Sequence, residues 1–138
     1  MMKNIHTLKV AFGDTDAAGI VFYPNFYRWM DLATHEFIGV TVSPVSKLLK
    51  EEHIVFPLLE TFCKFHSPLQ FEDVIEIYTE VVDIKNKVFK VQHNFMKKDQ
   101  LVASGYEVRA WTSTAGGSLK AVPIPEYVRE AFIPEINE

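Results

Sequence analysis

The chain has 138 residues, the usual size of one domain, and 48% of them are hydrophobic, which is ample for a packed core. Its formal net charge of −4 argues against a generic binder of nucleic acid or of an anionic membrane, because such proteins are basic. No run approaches the roughly 20 apolar residues of a membrane span, and the N-terminus lacks an apolar signal core, so we expect a cytoplasmic protein. The single Cys63 has no disulfide partner and is interpreted as a core residue.

The first part of the chain predicts a strand, a loop and one long helix. Apolar residues partly alternate over residues 3–12, which predicts a strand, and residues 13–22 follow as a loop. Pro24 suits the first turn of a helix, where its missing N–H costs nothing, and Gly39 is expected to end that helix. An apolar stripe at helical spacing supports the prediction: Phe26, Trp29, Met30, Ala33 and Phe37.

The second part of the chain predicts mainly strands. Ser43 is expected to cap a short helix over residues 43–52, and a helical turn is expected from Pro125 onward. The predicted strands cover residues 60–65, 74–82, 88–96 and 101–112, with a short extended piece at 119–124. Helix and strands are therefore segregated along the chain. This order predicts one α+β domain over residues 1–138, with one long helix on an antiparallel sheet of about five strands. A free face or edge of the sheet would remain for self-association.

Two carboxylates stand in the loop before the long helix. Asp14 follows Gly13 at the strand end and is interpreted mainly as a turn residue that binds nearby backbone N–H groups. Asp16 enters the small, apolar run 17–22, where few polar neighbours would make the carboxylate a stronger base. Asp16 is therefore the better catalytic candidate, although an aspartate in a glycine-containing loop is as often structural. Gly19 either lets a ligand approach the backbone or simply forms a turn.

The predicted start of the helix adds a second chemical element. Pro24 fixes where the helix begins, so the N–H groups of residues 23–26 lie at the positive end of the helix dipole. Such donors can polarise a carbonyl oxygen. A carboxylate beside donors for a developing oxyanion makes up two parts of an acyl-transfer site.

Residues 12–31, Phe-Gly-Asp-Thr-Asp-Ala-Ala-Gly-Ile-Val-Phe-Tyr-Pro-Asn-Phe-Tyr-Arg-Trp-Met-Asp, resemble the signature of the 4-hydroxybenzoyl-CoA thioesterase family. The resemblance implies a hot-dog fold, in which an antiparallel sheet wraps around a long helix. It implies a dimer with one continuous sheet and an active site at the subunit interface. It also implies that Asp16 is the nucleophile or general base, and that the backbone N–H of Tyr23 holds the thioester carbonyl oxygen.

The same resemblance implies a substrate class. A related branch has a histidine after the tyrosine of the motif, whereas Pro24 follows Tyr23 here, so the chain resembles the branch that acts on aryl-CoA thioesters such as 4-hydroxybenzoyl-CoA. Gly19, Phe22 and Trp29 are implied substrate contacts, although Trp29 also belongs to the apolar stripe. Lys85, Arg109 and Lys120 are implied partners for the phosphates of coenzyme A; each could instead be a solvated surface charge.

No metal or redox cofactor is expected, because a thioester is already activated and the five histidines show no metal-ligand spacing. Two alternatives stay open: a non-catalytic protein that binds acyl-CoA or aromatic ligands, and a thioesterase for short-chain acyl-CoA or acyl-carrier substrates. A hot-dog dehydratase is disfavoured, since the opening motif lacks the histidine that it needs. We expect a homodimer or a tetramer of two dimers, with no nucleic-acid or membrane partner.

Overall fold

The structure is a computed structural model that describes residues 3–133. Its strands in chain order are β1 (Asn4–Lys9), β2 (Ile54–Val55), β3 (Leu58–Phe65), β4 (Val74–Ile84), β5 (Val88–Lys97), β6 (Gln100–Ala110), β7 (Thr112–Ser113) and β8 (Lys120–Ala121). Its helices are α1 (Pro24–Thr41), α2 (Val45–Glu51) and α3 (Glu126–Phe132). Five strands form one antiparallel sheet in the order β1-β4-β5-β6-β3, and β2-β7-β8 form a second, small sheet. The predicted α+β architecture, with one long helix and a five-stranded sheet, is confirmed.

Helix α1 is the central element, and it is longer than the sequence predicted. It continues past Gly39 to Thr41, whose hydroxyl donates to the Phe37 carbonyl at 2.8 Å. Gly39 lacks the positive φ of a helix-ending glycine, so the prediction that it ends the helix was wrong. The buried face contains every member of the predicted stripe together with two further residues: Phe26, Trp29, Met30, Ala33, Thr34, Phe37 and Ile38.

Two further boundaries differ from the sequence prediction. Helix α2 begins after Pro44 and has no side-chain cap, so Ser43 does not have the capping role expected of it. The predicted strand over residues 101–112 divides at Trp111: β6 ends at Ala110, and Thr112 pairs with β2 and β8 in the small sheet. Trp111, which lies between the two strands, is buried in the core.

Helix α1 lies very close to the sheet at Gly105 of β6. A methyl group placed on Gly105 would come 2.8 Å from Met30 Sδ and 2.5 Å from the Phe62 carbonyl oxygen. Only a residue without a side chain fits there, so Gly105 sets how closely the helix approaches the sheet. The neighbouring Cys63 is buried, and burial raises the pKa of its thiol to about 11, which agrees with its interpretation as an unreactive core residue.

Within residues 3–133, strand β3 forms one edge of the main sheet, because β6 is its single neighbour there. Four of its apolar side chains are between 44% and 59% exposed: Leu58, Leu59, Phe62 and Phe65. An unpaired strand edge with exposed apolar side chains is a template for pairing with another strand. None of the helices in residues 3–133 is long and apolar enough to cross a membrane.

Candidate active site

The loop between β1 and α1 holds Asp16 in a tight turn. The Asp16 N–H donates to the Ile20 carbonyl at 3.0 Å, and the Gly19 N–H donates to the Asp16 carbonyl at 2.9 Å. Gly19 has a φ of 80°, in the left-handed region that favours glycine, so this turn depends on it. Of the two roles considered for Gly19, the turn is the one that its backbone geometry requires.

The carboxylate of Asp16 has one held oxygen and one free oxygen. Oδ1 accepts a hydrogen bond of 2.9 Å from the Ala18 N–H, and within residues 3–133 Oδ2 has no hydrogen-bond partner. The side chain is exposed in the single chain. The desolvation expected from the apolar run 17–22 is therefore not provided by one chain alone. The turn therefore holds one oxygen of Asp16 and leaves the other exposed.

Asp14 has the turn role that the sequence assigned to it. Its carboxylate accepts the Ala11 N–H at 2.8 Å and an Arg28 N–H at 3.1 Å. Its carbonyl accepts the Phe22 N–H and the Asn25 side-chain amide, both at 2.9 Å. Asp14 therefore ties the loop to the first turn of α1. The contributions of Asn25 and Arg28 were missed, although their three-residue spacing on one helix face was a usable signal.

The first turn of α1 leaves one N–H group available. Pro24 has no N–H group. The Asn25 N–H donates to the Phe22 carbonyl at 3.0 Å, and the Phe26 N–H donates to the Tyr23 carbonyl at 3.1 Å. Within residues 3–133 no acceptor lies within hydrogen-bond range of the Tyr23 N–H. Of the donors that the sequence offered at residues 23–26, Tyr23 therefore remains.

A cavity of about 410 Å³ opens beside this helix start. Ile20 and Tyr23, which line it, connect it with the Asp16 turn and the available N–H. Phe26 and Phe65 form an aromatic wall, with ring centres 5.0 Å apart. The remaining lining residues are Val21, His66, Ser67, Pro68 and Leu69. The N–H donor therefore belongs to a residue that lines an apolar space, and the turn that carries the carboxylate is hydrogen-bonded to a second lining residue, Ile20.

Three predicted substrate contacts, Gly19, Phe22 and Trp29, lie outside the lining of this cavity. The ring of Phe22 is 48% exposed and packs edge-on against Tyr23, with ring centres 5.5 Å apart. Trp29 is 3% exposed and packs behind Phe26 in the helix–sheet core. Trp29 therefore supports the aromatic wall from behind, and its implied role as a substrate contact stays a prediction.

Lys85 and Lys120 lie at the end of the sheet opposite Asp16. The loop that carries Asp16 follows Lys9, which pairs with Val74 at the start of β4, whereas Lys85 follows the other end of that eleven-residue strand. At about 3.3 Å per residue the two ends are roughly 30 Å apart. Lys120 pairs with Ser113, near the same far end. One chain therefore does not bring either lysine near its own Asp16.

Arg109 is part of a buried ion-pair network. It is 5% exposed, and its guanidinium donates to both oxygens of Glu107 at 2.9 Å, to the Phe56 carbonyl at 2.7 Å and to Asp31 at 2.7 Å. These bonds occupy all three guanidinium nitrogens. They use four of its five N–H groups and pair its charge within the core, and the implied contact of Arg109 with coenzyme A stays a prediction.

The network extends from Glu107 to a buried histidine. Thr34 donates to Glu107 at 2.5 Å and lies 2.9 Å from His93 Nε2, while Thr79 lies 2.8 Å from His93 Nδ1. Because the Thr34 proton goes to the carboxylate, its oxygen accepts from Nε2–H, whereas the Thr79 hydroxyl can serve Nδ1 as donor or acceptor. The geometry thus assigns a proton to Nε2, and in a neutral ring Nδ1 accepts from Thr79.

The pKa values of this network agree with that assignment. Burial lowers the pKa of His93, which keeps the ring neutral. Burial alone would raise the pKa of Glu107, but the nearby His93, 3.8 Å away, the hydrogen bonds from Arg109 and Thr34, and the charge of Arg109 outweigh it and lower that pKa to about 2. Among residues 3–133 no cluster of three or more His, Cys, Asp or Glu side chains could hold a metal ion.

Comparison with known proteins gives the family. The model of the thioesterase-like superfamily matches residues 10–132. The 4-hydroxybenzoyl-CoA thioesterase of Pseudomonas sp. strain CBS-3 is 31% identical over 124 residues, covering 85% of this chain and 88% of that protein. The solved structure of a gentisyl-coenzyme A thioesterase is 44% identical, with a TM-score of 0.83 over 94% of this chain and 98% of that one.

A further solved structure contains a substrate. It is a mutant 4-hydroxybenzoyl-CoA thioesterase in complex with 4-hydroxybenzoyl-CoA, 28% identical, with a TM-score of 0.86 over 94% of this chain and 98% of that one. The fold, the loop that carries Asp16 and these similarities all indicate the same family. The chain belongs to the thioesterase-like superfamily, with the hot-dog fold, and is a thioester hydrolase.

Proposed function

We propose that this protein hydrolyses aryl-CoA thioesters to the free acid and coenzyme A. The observation that carries the proposal is an apolar cavity lined by Tyr23, whose N–H is available, and by Ile20, whose carbonyl holds the turn that leaves Asp16 Oδ2 without a partner among residues 3–133. Acyl transfer needs these two groups, an attacking or basic oxygen and a donor for the carbonyl oxygen as it becomes negative.

The reaction has two possible first steps with the same products. Asp16 attacks the thioester carbonyl, coenzyme A departs as a thiolate, and water hydrolyses the resulting anhydride; alternatively, Asp16 takes a proton from the water that attacks. In both routes the C–S bond breaks and the Tyr23 N–H binds the oxyanion. The bond from Ala18 to Oδ1 leaves Oδ2 as the reacting oxygen.

The size and lining of the cavity favour an aromatic acyl group. A cavity of roughly 150 Å³ is enough to bind a benzene ring. The 410 Å³ space therefore has room for an aryl group and the first atoms of the pantetheine arm. Phe26 and Phe65 present ring faces and edges to such a group. The thioesterases named above, for 4-hydroxybenzoyl-CoA and gentisyl-CoA, act on aromatic acyl groups and support this choice.

We further propose that the working unit contains two chains paired through β3. A twofold axis would make the two β3 strands antiparallel, so the Leu58 end of one chain would lie beside the Phe65 end of its partner. Phe65 lines the cavity, and Leu58 pairs with Arg109 at the far end of the sheet. The end of the partner that carries Lys85 and Lys120 would then lie nearest the cavity. Those lysines are our candidates for the phosphates of coenzyme A.

The replacement Asp16→Asn tests the chemistry. We expect thiol release from benzoyl-CoA and 4-hydroxybenzoyl-CoA to fall by at least about a hundredfold, while the affinity for the thioester is retained. The change keeps the size of the side chain but removes its charge. Asp99→Asn, in the exposed turn between β5 and β6, is the matched control and should keep the parent rate.

Three results would contradict parts of the proposal. Parent-like thiol release by the Asp16 variant would remove Asp16 from the reaction. Tight binding by the parent protein without thiol release would identify a binding protein. Faster hydrolysis of short-chain acyl-CoA than of benzoyl-CoA would replace the aryl assignment with a short-chain one.

A further inference from the structure

One margin of the otherwise apolar cavity carries two polar side chains. His66 and Ser67 line the cavity directly after β3, next to Phe65. Both of their backbone N–H groups donate to the Val102 carbonyl, at 2.9 Å and 3.1 Å. These bonds fix the segment on β6. The two side chains are therefore presented by a defined backbone.

The hydrogen-bonding capacity of this pair is only partly used. The Ser67 oxygen accepts a hydrogen bond of 2.8 Å from the side-chain amide of Gln100, which leaves its O–H free to donate. The imidazole of His66 makes no hydrogen bond to any residue in the range 3–133 and offers one donor and one acceptor when neutral. Polar groups placed in an apolar cavity determine the orientation and identity of its ligand.

We propose that His66 and Ser67 are specificity-determining residues that bind a hydroxyl substituent of the acyl group. A hydroxyl both donates and accepts, which matches a free Ser O–H beside an imidazole. Within the described part of the chain no lysine or arginine lines the cavity, so a carboxylate substituent would lack a counter-charge there. Gln100 is a positioning residue, because it orients the Ser67 hydroxyl. This inference rests on the proposed aryl-CoA hydrolysis.

The test compares kcat/KM for 4-hydroxybenzoyl-CoA and benzoyl-CoA, which differ by one hydroxyl group. We expect the parent to prefer the hydroxylated substrate by about tenfold or more. His66→Leu and Ser67→Ala should each lower that ratio by about threefold, as expected for one neutral hydrogen bond, and the double variant should bring it close to one. Gln100→Ala should lower the ratio by a smaller factor.

Two controls separate specificity from general damage. Ser67→Thr keeps the hydroxyl and should retain the ratio within about twofold. Ser46→Ala removes an exposed hydroxyl from α2, a helix that contributes no residue to the lining of the cavity. It should leave the ratio as in the parent.

The failure of this inference is distinguishable from the failure of the proposed function. If the parent hydrolyses both substrates but the double variant keeps the parent ratio, His66 and Ser67 have no part in specificity. An equal loss on both substrates would also exclude them from specificity, because it reports only structural damage. If the parent hydrolyses neither substrate, the proposed function itself is wrong and this inference fails with it.

Discussion

At the scale of single residues, the core contains a buried polar network. It runs from Thr79 through His93, Thr34 and Glu107 to Arg109. Its members come from α1, β4, β5 and β6, and each buried polar atom named above has a partner. Removing one partner of such a buried pair typically costs about 3–5 kcal/mol, because the remaining charge is left without compensation. The network therefore fixes the rotation of α1 about its own axis relative to the sheet. The same rotation sets the position of the N-terminal end of α1.

The neutral state of His93 makes stability depend on pH. The unfolded histidine titrates at its ordinary value of 6.5, whereas burial keeps the folded one neutral to lower pH. The unfolded state thus binds more protons, and the free energy of unfolding should fall as pH decreases below that value. Chemical denaturation between about pH 7.5 and about pH 5 should show this fall in the parent and a smaller one in His93→Gln.

The exposed His53 supplies the control, since His53→Gln should keep the parental pH dependence. If the free energy of unfolding depends on pH equally in the parent and in the His93 variant, then His93 is not the cause of that dependence. Glu107 adds a separate loss in more acidic solution. Its pKa is lowered from 4.5 to about 2, so its contribution is present above the ordinary value and disappears as the pH falls through the lowered one.

The proposed reacting residues were easier to predict than the network that supports them. Asp16 and Tyr23 lie within eight positions of each other in a dense motif, and the local turn chemistry places them. The members of the network are brought together only by strand pairing and helix packing. One signal was available: Glu107 and Arg109 are two apart on a predicted strand, on the same face as the small Ala103 and Gly105. Charged side chains on that face of the strand point into the core and therefore need a partner that is also buried.

At the scale of elements, periodicity located α1 and the three long strands β4, β5 and β6 well. Alternation of buried and exposed side chains in β4 and β5 is nearly strict, because one face of these strands packs under α1. Boundaries were less predictable. Gly39 gave a false end to the helix, since a glycine can also occupy a helical position when tertiary packing sustains the helix.

Two glycine substitutions should have opposite effects on stability. Gly105→Ala forces a methyl group against the Phe62 carbonyl and Met30, so we expect the free energy of unfolding to fall by about 1–3 kcal/mol. Gly39→Ala meets nothing within 4 Å and should raise it by about 0.5–1 kcal/mol, because alanine favours a helix more than glycine does. Urea denaturation of both variants measures the two changes, and effects of equal sign would contradict this account of the helix–sheet contact.

At the scale of the whole molecule, the exposed edge of β3 is the surface that a second chain would cover. Phe62 is 49% exposed near the middle of that strand.

Phe62→Lys would bring two like charges close together in a twofold β3 pair, so we expect sedimentation to show single chains. Thiol release should fall by about tenfold or more at the same chain concentration. Val40→Lys, at the exposed end of α1, is the control and should still sediment as at least a dimer with parental activity. Single chains with full activity would contradict the two-chain site.

The roughly 30 Å between the two ends of β4, which separates the Asp16 end of the sheet from the lysine-bearing end, has a consequence for how activity is measured. If the attacking group comes from one chain and the phosphate contacts from the other, each chain is one half of two separate sites. Turnover per chain would then not be a constant of the protein. It would decline on dilution, as the pairs separate, and recover when saturating substrate holds the two halves together.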